Sequence, residues 1–92
     1  MDGEEQERRG EDARRIIEAP IHREAFAALE ERLVNELARQ DIDPQRAEFL
    51  RLLLVAGRKY RLYIEQVMVT GTMAAMETQR KRSLSDRMFR RS

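Results

Sequence analysis

The two prolines of this chain, Pro20 and Pro44, constrain its fold more than any other feature. Proline lacks an amide hydrogen and disfavours helix in the preceding residue, so each proline ends or restarts a helix. Residues 45–92 contain no proline, and the chain is rich in the strong helix formers Ala, Leu, Glu, Arg, Gln and Met. The sequence therefore predicts an all-α fold and argues against a β-sandwich or β-barrel.

Apolar spacing places two helices before the second proline. A short helix is expected to begin near Glu11 and to end at Pro20. A second helix is expected over residues 21–40, because apolar side chains recur there at steps of three and four, as on one face of an amphipathic helix. These side chains are Phe26, Leu29, Leu33 and Leu37.

The third helix is expected to start at Pro44, with Asp43 as its cap, and to continue to about residue 79. The connection from the second helix is short, so the two helices are expected to form an antiparallel helical hairpin. The short N-terminal helix would lie beside this hairpin. We expect self-association to complete the fold as a helical bundle.

Charge divides the chain into three parts, although its overall net charge is only +1. Residues 1–20 carry a net charge of −3 and residues 78–92 a net charge of +5. The predicted organisation is a disordered acidic head over residues 1–10, a helical hairpin domain over residues 11–79 and a basic tail over residues 80–92. The head is expected to be disordered because it contains no apolar residue after Met1.

An uncharged stretch, Gln66–Met76, points to association with a partner. A helix that is apolar all round must be buried all round, and one short neighbouring helix cannot enclose it. A second copy of the same chain is the simplest partner, so the sequence predicts a homo-oligomer. The candidate contact residues, which include apolar side chains of the tail, are Gly57, Val69, Gly71, Met73, Met76, Leu84, Met88 and Phe89.

Two of these residue types have alternative interpretations. Gly57 and Gly71 each cost about 1 kcal/mol relative to alanine inside a helix, so they indicate close helix–helix approach. Gly71, between two threonines, can instead end the helix. The methionines can belong to an apolar core, either within the chain or between copies of it. Alternatively, they can form a binding surface for a different protein.

The basic tail supports a second hypothesis, nucleic-acid binding. Six basic side chains could neutralise several phosphates, with an affinity that falls as salt rises. They are Arg80, Lys81, Arg82, Arg87, Arg90 and Arg91. Arg51, Arg58 and Arg61 on the third helix would extend this patch. Docking on another protein and a solubilising role remain alternatives for the tail.

The sequence offers no pattern typical of an enzyme. His22 is the only histidine, cysteine is absent, and the glycines are isolated, so neither a nucleophile with its base nor a phosphate-binding loop is evident. Asp41 and Asp43 resemble the start of a calcium loop, but the required glycine and glutamate do not follow. We expect no catalytic residue, metal, cofactor or membrane contact.

Two stretches resemble a known group of proteins. Residues 13–30 (ARRIIEAPIHREAFAALE) and residues 63–74 (YIEQVMVTGTMA) are similar to the opening and closing helices of small all-helical proteins encoded in tailed-bacteriophage and prophage gene clusters. The resemblance implies a role in virion assembly or genome packaging, with other virion or packaging proteins as partners. It also implies a location in the cytoplasm of the bacterial host or in the virion.

Overall fold

A computed structural model describes the backbone of residues 2–90 and the side chains as far as Met88. This part of the chain forms three α-helices and no strand: α1 spans Gly3–Glu18, α2 spans Pro20–Leu37 and α3 spans Pro44–Arg90. The prediction of an all-α fold is confirmed.

Local chemistry explains where the helices begin. Asp2 Oδ1 accepts a hydrogen bond from the Glu5 amide at 2.8 Å, which caps α1, and Asp43 Oδ2 accepts one from the Arg46 amide at 3.1 Å, which caps α3. The predicted start of α3 and the predicted role of Asp43 are therefore confirmed. Pro20 opens α2 after the extended residue Ala19.

Three predicted boundaries were wrong. Residues 3–10, expected to be disordered, form the first half of α1. The second helix ends at Leu37 instead of residue 40. The third helix does not stop near residue 79, since the part of the predicted basic tail as far as Arg90 continues it. Gly71 lies inside this helix, so the alternative in which Gly71 ends a helix is also wrong.

The chain divides into two compact units. Residues 1–15 with residues 65–92 make up one, called the terminal unit here, and residues 16–64 make up the other, the central unit. The division cuts across the predicted 11–79 domain, because α1 contacts the C-terminal part of α3.

Contacts between α2 and α3 organise the central unit. Close to their connection Arg46 Nε donates to Glu36 Oε1 at 3.0 Å, and farther along both helices Arg58 Nε donates to Glu30 Oε1 at 2.8 Å. The Phe26 and Tyr60 rings stack with centroids 6.0 Å apart. Exposed ion pairs contribute about 0–1 kcal/mol each to the free energy of unfolding. These two pairs therefore define how α2 aligns with α3 but add little stability.

The core of the central unit is small. Leu50 is the most deeply buried side chain described, at 1% exposure, and Leu33 and Ile64 are also buried. Burial of a leucine contributes about 1.5–3 kcal/mol. Leu29, Leu53 and Tyr60, although they belong to predicted apolar stripes, stay largely exposed.

A candidate self-association surface on the third helix

The terminal unit is built around a contact between two glycines. A Cβ atom placed on Gly71 would lie 2.6 Å from the Gly10 Cα atom and 2.8 Å from the Gln6 carbonyl oxygen. A Cβ on Gly10 would lie 2.7 Å from the Gly71 Cα atom. Real Cβ atoms do not approach backbone this closely, so the two helices touch backbone to backbone, and glycine is the only residue that permits it.

Small and polar groups extend this contact along both helices. The Thr78 hydroxyl donates to Glu7 Oε1 at 2.9 Å, and Arg14 Nη2 donates to Thr72 Oγ1 at 3.2 Å. Ala13 is buried beside them. Position 7 therefore meets position 78 and position 14 meets position 72, so α1 and α3 run in opposite directions across the crossing.

The opposite side of α3 carries exposed apolar side chains. Successive residues of an α-helix are about 100° apart, so side chains two or five residues from Gly71 point away from the Gly10 contact. Val69 is 52% exposed, Met73 65% and Met76 66%. These three residues are called the apolar face below.

The uncharged stretch 66–76 is thus covered on one side only. Val67, Met68 and Ala74 are half-buried toward α1, whereas each side chain of the apolar face stays more than half exposed. An exposed cluster of this kind on a helix marks an interaction surface more often than scattered single apolar residues do.

The other predicted contact residues fall in different places. Leu84 and Met88 are exposed on the last turns of α3, at 53% and 77%. Gly57 lies in the central unit, and a Cβ there would meet nothing within 4 Å, so the described residues do not make the close approach predicted for it. The side chain of Phe89 lies outside the described residues.

The predicted basic patch is partly engaged in ion pairs. Arg80 lies 3.4 Å from Glu77, and Lys81, Arg82 and Arg87 are exposed around the helix instead of along one face. In the central unit Arg58 pairs with Glu30, and Arg51 lies 3.6 Å from Glu48. Arg61 also has a partner. The side chain of Arg90 and the whole of Arg91 fall outside the part of the chain that is described.

A groove that sequence reasoning missed lies beside the apolar face. It holds about 670 Å³ between α1 and α3 of the terminal unit, and Met76 borders it. Charged residues of α1 line one wall, both acidic (Glu4, Glu7, Glu11 and Asp12) and basic (Arg8, Arg14 and Arg15). Part of this wall belongs to residues 3–10, which were expected to be disordered, so the groove was not predicted.

His22 is half-buried in the central unit and packs on Phe26, with ring centroids 4.7 Å apart. Its Nε2 atom has no hydrogen-bond partner among the described residues. Over the same residues, no group of three or more His, Asp or Glu side chains is placed to hold a metal ion. None of the described helices is long and apolar enough to cross a membrane.

Comparisons of this chain with protein-family models, with curated proteins and with solved structures found no match.

Proposed function

We propose that this chain is a non-enzymatic, self-associating assembly module, and that the apolar face of α3 is its contact surface. The observation that carries the proposal is the exposure of Val69, Met73 and Met76 within a stretch that contains no charge. Removing apolar surface from water contributes about 25 cal/mol for each Å² buried. A second copy of the chain carries the same apolar face, so two copies can cover each other's face in a symmetric contact.

The bundle and the biological setting belong to the same proposal. The ion pairs and ring contact between α2 and α3 support an antiparallel hairpin in the central unit. Pairing of two apolar faces would join the α1–α3 helix pairs of two terminal units as a bundle. The resemblance of residues 13–30 and 63–74 suggests a bacteriophage particle or its packaging machinery as the setting, where the module would dock on other structural proteins.

The proposal predicts that Val69→Glu weakens self-association. The change places a carboxylate in the apolar face, and desolvating this charge in the interface is costly. Light scattering after size exclusion should show wild-type protein at a multiple of 10.9 kDa and the variant closer to one copy.

Ile21→Glu is the matched control. Ile21 is an exposed isoleucine of α2, at 71%, and lies outside the apolar face, so this variant should keep the wild-type mass. A wild-type protein that stays monomeric at high concentration would contradict the proposal, as would equal effects of the two substitutions.

A further inference from the structure

A second exposed surface lies on α3 within the central unit, on the side that faces away from the buried Leu50. Its residues are about 120–180° around the helix axis from Leu50, and all of them are exposed. Leu52 and Leu62, two of its apolar members, are each more than half exposed. This surface is called the outer seam below and consists of Gln45, Glu48, Leu52, Val55, Lys59 and Leu62.

The outer seam has the spacing of a coiled coil. Its members follow one another at steps of three, four, three, four and three residues, which are the a and d positions of three successive seven-residue repeats. In a coiled coil these positions face a partner helix. The contacts of α3 with α2, made by Arg46, Arg58 and Tyr60, lie within about 80° of Leu50 and so on the other side of α3. The outer seam therefore suits a helix from another molecule.

The order of the side chains in the outer seam identifies that helix. From Glu48 the steps to Leu52, Val55 and Lys59 are four, three and four residues, and from Lys59 backwards they are the same. An antiparallel second copy therefore places Glu48 opposite Lys59 on both sides of a centre where Leu52 lies opposite Val55. A parallel copy in register would place each charge against its own kind, which repels. The outer seam is thus complementary to itself in the antiparallel orientation.

We propose that the outer seam pairs with the outer seam of a second copy, antiparallel, about a two-fold axis between Leu52 and Val55. This contact goes beyond the proposed function, because it is a second surface, separate from the apolar face. Leu52 and Val55 of both copies form its apolar centre, and two pairs of Glu48 with Lys59 flank it. A lysine at an a position fixes the register of a coiled coil at some cost in stability, which is the role of Lys59 here.

The side chains beside the outer seam fit the same register. Phe49, which is half exposed, would pack on Ala56 of the second copy. On the other flank Arg51 and Arg58 of different copies would approach each other. Their charges are offset within each chain, since Arg51 lies 3.6 Å from a carboxylate of the outer seam and Arg58 lies 2.8 Å from Glu30.

Two separate surfaces on one chain allow growth beyond a dimer. In the antiparallel register Pro44, where α3 begins, lies opposite Tyr63 of the second copy. The α3 helix of the second copy therefore does not reach Val69, which leaves the apolar face to a further copy. A single two-fold contact stops at two copies, whereas two different contacts continue into a chain of copies or close a ring.

The Val69→Glu chain isolates the outer seam, because this change weakens the contact of the apolar face. Desolvation of its charged side chains makes the outer seam the weaker of the two contacts. Light scattering after size exclusion should therefore show the Val69→Glu chain near one copy when dilute and approaching two copies, but no more, when concentrated. Wild-type protein should exceed two copies at the same high concentration.

A charge exchange in the Val69→Glu chain tests the pairing of Glu48 with Lys59. Lys59→Glu or Glu48→Lys alone should weaken the dimer about tenfold, because two attractive contacts per dimer become repulsive. The chain with both substitutions should dimerise within about threefold of its parent, and a mixture of the two single variants should form mixed dimers. Arg32→Glu on α2 is the matched control, since it changes the net charge as Lys59→Glu does at another exposed position, and should leave the dimer unchanged.

The combined chain also controls for effects within one copy. Glu48→Lys removes the exposed ion pair with Arg51, and this pair stays absent when Lys59→Glu is added. Recovered dimerisation in the combined chain therefore comes from the contact between copies. Circular dichroism of each variant verifies the helical content.

Disulfide trapping in the Val69→Glu chain tests the orientation, since the sequence contains no cysteine of its own. Gln45 lies opposite Leu62 of the second copy at both ends of the antiparallel contact. A mixture of Gln45→Cys and Leu62→Cys chains should therefore form a mixed covalent dimer under mild oxidation. Leu62→Cys alone should stay unlinked, because the two Leu62 positions are 17 residues out of register, about 25 Å along the axis. Self-linkage of Leu62→Cys would indicate parallel pairing and overturn the inference.

The remaining outcomes separate this inference from the proposed function. A monomeric wild-type protein would defeat both. A Val69→Glu chain that stays at one copy at every concentration would overturn the outer seam contact and leave the proposed function standing. A dimer of the Val69→Glu chain that responds to neither charge reversal would also overturn the outer seam contact alone.

Discussion

Gly10 and Gly71 show how a single hydrogen atom in place of a side chain can determine helix packing. Both glycines sit where a Cβ would strike the backbone of the facing helix at 2.6–2.8 Å. Backbone cannot move aside as a flexible side chain can, so any larger residue must push α1 and α3 apart. Gly57 is the counterexample on the same helix α3, because its Cβ position is open.

This difference predicts opposite results for the same substitution. Gly71→Ala should lower the free energy of unfolding by about 1–3 kcal/mol, since the forced separation outweighs the helix propensity of alanine. Gly57→Ala should raise it by up to about 1 kcal/mol, because only the propensity changes. Urea unfolding at one fixed protein concentration measures both. Equal stabilisation by the two alanines would mean that α1 and α3 do not touch at Gly71.

Sequence reasoning recognised only half of this contact. The cost of glycine in a helix indicated close approach at Gly71, but nothing identified Gly10 as its partner. Hydropathy patterns detect large apolar residues, and this crossing is built from Gly10, Ala13 and Gly71, which contribute almost no hydrophobic signal. The exposed residues Val69, Met73 and Met76 were predicted, because an uncharged run in a highly charged chain is conspicuous.

At the scale of helices, side-chain caps determine the boundaries. Asp43 accepts a hydrogen bond from the Arg46 amide at the start of α3, whereas the neighbouring Asp41 accepts hydrogen bonds from the side chain of Arg39, at 3.1 and 3.3 Å. A cap gives a hydrogen-bond acceptor to a backbone amide that has no partner within the helix. An exposed ion pair contributes little to the free energy of unfolding, because both charged groups are also well hydrated when they are apart. Asp43 is therefore expected to contribute more than Asp41 to the free energy of unfolding.

Asp43→Ala should accordingly lower the free energy of unfolding by about 1 kcal/mol. Asp41→Ala should change it by less than about half of that, because exposed pairs contribute little. Thermal unfolding monitored by circular dichroism distinguishes the two variants. A larger loss for Asp41→Ala would show that the cap does not stabilise α3.

The helix boundaries that sequence reasoning missed have physical explanations. Pro20 and Pro44 made two starts predictable. The start of α1 was also encoded, in Asp2 followed three residues later by Glu5, but the lack of apolar residues outweighed this cap signal. The end of α3 was placed too early because the apolar pattern gives way to charged residues near residue 80, although residues 80–90 contain no glycine or proline that would stop a helix.

At the scale of the whole chain, the unpartnered surface predicts concentration-dependent stability. Folded chains that associate are stabilised by mass action, whereas unfolded chains do not associate. The unfolding temperature should therefore rise by several degrees for each tenfold increase in protein concentration. Scanning calorimetry over a hundredfold range of concentration measures this directly.

The Val69→Glu variant serves as the control for this concentration dependence. Its unfolding temperature should depend much less on concentration, because the association that stabilises the wild-type chain is weakened. The same unfolding temperature for wild type at every concentration would contradict association of the folded chain. The all-α class required only composition and two prolines, whereas the contacts between copies remain a prediction that these measurements address.

The paired glycines also bear on how such a chain can diverge over time. A surface of valines and methionines tolerates many substitutions by other apolar side chains, so its sequence would vary widely among homologues. Gly10 and Gly71, 61 residues apart, have no space for a side chain. These two positions would therefore stay glycine or change together. This spacing, set within otherwise variable helices, would therefore be a more durable signature for recognising distant homologues than hydropathy.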